Sequence, residues 1–178
     1  MSFTNNFIFN CLRVIVWMIF IGLSIEAGGY LTNFIFSIYK PEFIPNLYQK
    51  MDLMSIYSVS KSAFYGVYSF ILVMCILKAY LFYIVIMLTM KMDLKKPFSA
   101  YVSDQIFKIT YFTLAIGMLG LVATQFVRHL AKRGMNTDVL DNFWVDSEAF
   151  FFMGAVVYII GTIFKKGLEI QNENDLTV

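Results

Sequence analysis

The sequence predicts an all-α integral membrane protein, folded as a four-helix bundle of membrane spans. Three observations carry this. The chain holds three long apolar runs and one shorter run, at 14–36, 64–90, 109–127 and 149–164, each bounded by charged residues. Its composition is 59% hydrophobic, 18% aromatic and only 15% charged, with a mean hydropathy of +0.68. Its 178 residues leave little chain outside four spans, so one transmembrane domain covers 1–178 and no separate catalytic or nucleic-acid-binding domain fits. About 20 apolar residues cross the hydrocarbon core as a helix, and the last run reaches that length with its flanking aromatics in the interface.

The first run begins after Arg13 and continues past Glu26 to Phe36. It lacks a small-x-small site after a short apolar core, so it is expected to stay as a span and not to be cleaved as a signal peptide. After Pro45, the spacing of Leu47, Met51 and Met54 among Gln49, Lys50 and Asp52 predicts a short amphipathic helix on the membrane surface. Following the second span, Lys96 and Pro97 end one segment and Ser99 is placed to cap the next helix. Gly134 is placed to end the third helix, and Phe143 and Trp144, like Trp17, have the character of an aromatic belt. A tail at 165–178 follows the fourth span.

Four spans put the two termini and the 91–108 loop on one side. That side carries Arg13, Lys91, Lys95, Lys96, Lys108, Lys165 and Lys166, seven basic residues packed close to the span ends. The other side carries six: Lys40, Lys50, Lys61, Arg128, Lys132 and Arg133. The excess, with the compact KMDLKK loop, predicts both termini in the cytoplasm. A net charge of +2 implies no polyanionic partner and no direct nucleic-acid contact.

Chemistry-bearing motifs are scarce. Cys11 and Cys75 form no C-x-x-C pair and read as inert packing residues, and one histidine, His129, is too few for a zinc or haem site. There is no H-E-x-x-H, G-x-S-x-G, Walker loop or dinucleotide turn, and Ser55, Ser58, Ser60 and Ser62 lie in a linker. No enzyme activity, cofactor or metal is therefore expected.

Two charges inside the spans are the most informative residues. Glu26 lies thirteen residues after Arg13 and Lys78 thirteen before Lys91. At about 1.5 Å per residue both sit roughly 20 Å from the same boundary, so antiparallel neighbours would bring them to one depth. An unpaired charge there costs at least about 2.5 kcal/mol, which favours pairing. The pair reads either as a structural tie or as a ligand or proton site. Gly22, Glu26, Gly29, Tyr30 and Asn33 fall on one helix side, expected to face inward, with Ser24, Gly28 and Thr32 as a small-residue ridge beside it. That ridge suits the bundle or a homodimer. Gly117, Gly120 and Thr124, with Gly154 and Gly161, are expected to let the last two spans approach closely, and Gln125 and Glu148 are placed to line a vestibule facing away from the termini.

The inner loop KKPFSAYVSDQIFKI and the tail IFKKGLEIQNENDLTV resemble the bacterial domain-of-unknown-function 2975 family of small four-span membrane proteins, most closely over Pro97-Phe98-Ser99 and Glu173 to Val178. The resemblance implies a bacterial inner membrane location and no established activity. Members of that family are often encoded beside a small helix-turn-helix regulator. By that resemblance, Lys96, Pro97, Phe98, Glu173, Asp175, Leu176 and Val178 form a cytoplasmic docking surface, with Glu169, Glu173 and Asp175 offering negative charge and Leu176 and Val178 apolar anchors. Two functions follow as expectations: a non-enzymatic sensor or tether for such a regulator, or a small permease or immunity-type protein that binds an ion, lipid or peptide around Glu26 and Lys78.

Overall fold

The computed structural model describes residues 3–46, 52–93 and 97–176. Among them every regular element is helical. The long helices are α1 (Phe3–Tyr39), α3 (Lys61–Lys91), α4 (Ala100–Lys132) and α6 (Ser147–Leu176), and the short ones are α2 (Met54–Val59) and α5 (Asp141–Trp144). Short 3-10 segments occupy Pro41–Asn46 and Asp138–Leu140. All four long helices are apolar and long enough to cross a membrane. The chain is an all-α membrane four-helix bundle, as the sequence predicts. At about 1.5 Å per residue, helices of 30 residues exceed the roughly 30 Å hydrocarbon core, so their ends project beyond it.

Local chemistry sets the helix ends. Ser60 caps α3 by accepting from the Ala63 N–H at 3.2 Å, and Ser99 caps α4 by accepting from the Val102 N–H at 3.3 Å, the role expected for it. Helix α4 stops at Gly134, whose φ of +80° a side chain would disfavour. The Met135 N–H reaches Leu130 O at 3.3 Å and the Gly134 N–H reaches Ala131 O at 2.9 Å, a Schellman closure with Leu130 and Met135 both buried.

Side-chain contacts fix four antiparallel neighbours in chain order. Phe20 meets Tyr83 and the Tyr68 hydroxyl donates to Tyr30 O at 3.2 Å between α1 and α3; Phe70 meets Phe126 and Tyr80 meets Phe112 between α3 and α4; Phe107 meets Tyr158 between α4 and α6. The start of α1 and the end of α6 therefore lie at one end of the bundle, called the terminal end below, and the segments 40–46, 52–60 and 133–146 lie at the far end. The closest packing is α4 on α6. Here a Cβ on Gly117 would stand 2.7 Å from the Phe151 nitrogen, one on Gly154 2.7 Å from Leu114, and one on Gly161 3.1 Å from Ile106, while Gly120 receives Ser147. The expected small-residue seam is present. Helix α1 packs chiefly on α3, and Val14, Met18, Ile21, Ile25 and Ile35 remain exposed, a surface for lipid.

The core is densest at the far end, where Tyr30, Ile44, Ile56, Phe64, Tyr68 and Ile71 are fully buried. Two expectations change here. Of the predicted amphipathic segment, Leu47 and Met51 fall outside the described residues, and Met54 is exposed while Leu53 and Ile56 are buried. The reason is local: Asp52 Oδ1 accepts from the Met54 N–H at 2.9 Å, starting α2 at Met54 and turning Ile56 toward α3. Trp144 is no belt residue. It is 5% exposed and belongs to the core, because α5 folds it inward beside Leu140 and Phe143.

Arg13 does more than mark topology. Its Nε and Nη2 donate to Thr89 O at 3.0 and 2.8 Å, satisfying a carbonyl in the last turn of α3. Charge-assisted bonds of this kind contribute about 1.5–3 kcal/mol, so Arg13→Gln is expected to lower thermal stability and loosen α1 from α3 at the terminal end. Disulfide trapping between cysteines placed at the two helix ends reads this as slower, less complete closure.

Candidate functional site

Glu26 and Lys78 are both half-buried on adjacent helices. The register that sets Phe20 beside Tyr83 and Tyr30 beside Tyr68 brings position 26 to the level of Cys75. Cys75 is buried and lies within electrostatic reach of both Glu26 and Lys78. The two charges thus share a depth, as expected, but the expected ion pair is absent: no contact within 4 Å joins them. Lys78 instead directs its ammonium across α3 to the Phe150 ring of α6, 5.4 Å from the centroid. Matched depth does not guarantee matched direction around a helix axis, and the aromatic face offers the cation an alternative partner.

Toward the far end the α1–α3 interface stays polar. Tyr30 and Tyr68 are fully buried there, and Asn33 holds a buried amide nitrogen beside the Tyr68 hydroxyl. Of the face expected to point inward, Glu26, Gly29, Tyr30 and Asn33 are covered to some degree, whereas Gly22 is exposed with open space around it. Ser24 and Thr32 return their hydroxyls to the carbonyls of Phe20 and Gly28, so the ridge they form with Gly28 is left uncovered within the chain. Cys11 is exposed and Cys75 buried, so only the second is a packing residue.

At the terminal end, Phe98 packs its ring 4.8 Å from that of Phe164, and a Cβ on Gly167 would stand 2.8 Å from the Phe98 ring. Pro97 beside it is exposed, while Lys96 and Val178 lie outside the described residues. Glu173 is exposed on α6; Asp175 and Leu176 lie on its last turn. The tail is not a loose segment after the fourth span but the continuation of α6 to Leu176, steadied by Lys166 and Glu169 at 2.7 Å.

The residues expected to form a vestibule, Gln125 and Glu148, line a cavity of about 690 Å3 at the far end of α4 and α6. Sequence reasoning missed its other charged walls, Arg128 and Asp138, and the buried Trp144. Arg128 was within reach of that reasoning, being one turn beyond Thr124 on the same helix face. Asp138 was not, since a loop places it.

A family model described as protein of unknown function (DUF2975) matches residues 38–178. The chain belongs to this family. The DUF2975 match begins at the end of α1, so it includes Lys78, the Pro97-Phe98-Ser99 loop, the far-end cavity and the tail, and leaves out Glu26. No curated protein and no solved structure matches the chain.

Proposed function

We propose that this DUF2975 protein is a non-enzymatic sensor or tether of the bacterial inner membrane, with both termini in the cytoplasm, that reports the state of its bundle to a cytoplasmic helix-turn-helix regulator. The observation that carries the reading is the continuity of α6. One unbroken helix runs from Ser147, at the wall of the far-end cavity, to Leu176 in the tail. Phe98 of the α3–α4 connection rests on it at Gly167, so a shift of α6 is felt at both segments of the docking surface. A rigid helix transmits displacement along its axis, which is what a tether controlled from within the bundle requires.

Truncation after Gln171, which removes Glu173, Asp175, Leu176 and Val178, tests this. Crosslinking pull-down from membranes of the native host is expected to retain a helix-turn-helix protein with the full chain and to lose it with the truncated one. Equal retention by both, with unchanged target-gene expression, would sink the proposal.

One observation favours the second reading, a small permease or immunity-type protein: two half-buried charges at one depth without an ion pair between them. An ion, lipid or peptide carrying complementary charge would be held there. That reading is lost if neutralising Glu26 and Lys78 together leaves ligand sensitivity intact.

A further inference from the structure

The far-end cavity between α4 and α6 has an uneven wall. Arg128 supplies a guanidinium, Asp138 and Glu148 supply carboxylates, and Gln125 an amide. Among the described residues none of these three charges takes part in an ion pair. Trp144 forms part of the same wall. It is 5% exposed and its indole nitrogen is closed to solvent, so it contributes ring surface to the wall and no donor. A cation beside two carboxylates, around one space, forms a surface complementary to a molecule carrying both signs of charge.

We propose that this cavity binds the headgroup of an aminophospholipid. Its phosphate oxygens accept from Arg128, and its primary ammonium donates to Asp138 and Glu148. The cavity's position identifies the source as lipid. It lies where the apolar stretch of α4 gives way to Arg128, and the exposed apolar Leu121 and Val145 on its rim continue onto the lipid-facing surface where acyl chains run. A volume near 690 Å3 falls within the roughly 300–1,000 Å3 of ordinary ligand sites. The assignment concerns the opposite end of α6 from the tail and stands whether or not a regulator docks there.

Native mass spectrometry of the delipidated full chain in detergent tests the proposal. The probes are dihexanoyl phosphatidylethanolamine, dihexanoyl phosphatidylglycerol and free O-phosphoethanolamine. The ethanolamine lipid is expected to bind about tenfold or more tightly than either other probe, and Arg128→Gln to weaken it by about tenfold or more, as loss of a charged hydrogen bond implies. Asp138→Asn with Glu148→Gln is expected to abolish the preference over the glycerol headgroup. Arg128 is exposed, so its variant keeps the fold. Equal binding of both lipids, unchanged by Arg128→Gln, would overturn the site. Free O-phosphoethanolamine binding as tightly as the lipid would overturn the lipid source in favour of a soluble zwitterion.

Discussion

Gly117→Val is expected to separate α4 from α6 and abolish a monodisperse folded protein in mild detergent. The glycine faces not a side-chain tip but the backbone of α6: a Cβ at Gly117 would lie 2.7 Å from the Phe151 nitrogen and 2.8 Å from its Cα. No rotamer change relieves a contact with main chain, so the helices must move apart along their most extensive interface. Overpacking usually costs about 1–3 kcal/mol, and a backbone clash at a helix seam lies at or above the top of that range. Association of membrane helices rests on such close contact, because lipid competes equally for apolar surface. Gly22→Ala is the matched control. With nothing within 4 Å of a Cβ there, it is expected to leave stability unchanged or raise it by up to about 1 kcal/mol through helix propensity. Thermal unfolding followed by size-exclusion chromatography reads both, and equal behaviour of the two variants would refute the account of the seam.

Lys78→Met is expected to stabilise the bundle. A lysine at the centre of a span costs about 2.5–3.5 kcal/mol on insertion scales, and the cation–aromatic contact to Phe150 returns only about 0.5–2 kcal/mol of it. The net expectation is a gain of roughly 1–2 kcal/mol, seen as a midpoint several degrees higher. Had Lys78 and Glu26 formed a structural pair, removing one partner would lose about 3–5 kcal/mol instead. The two alternatives differ in sign, so one melting curve decides between them. Combining Lys78→Met with Glu26→Gln adds a second check: without direct contact the two effects sum, and coupling beyond about 0.5 kcal/mol would reveal a pair.

Much of this protein is legible in its sequence because a bilayer simplifies the reading. Apolar runs become helices when no other spanning geometry satisfies the backbone, and a serine before a helix or a glycine after it acts within a few residues. Ser99, Gly134 and the glycines of the last two spans behave accordingly. Departures occur where a residue's role depends on direction around an axis or on a fold-back. Trp144 has the composition of a belt residue, but the short α5 turns it into the core. Gly22 shares a nominal face with Glu26, yet α3 covers only part of that face.

The sequence alone determined the all-helical membrane class, the number of spans, the positions of several caps and the depth of both intramembrane charges. These follow from local hydrophobicity and from counting residues at a constant rise per helix turn. Only the tertiary structure decided that Lys78 turns to Phe150 and not to Glu26, that Arg128, Asp138, Trp144 and Glu148 surround one cavity, and that α6 continues unbroken into the tail. The first two depend on rotation about a helix axis or on contact between segments far apart in the chain, and neither is encoded in the spacing of neighbouring residues.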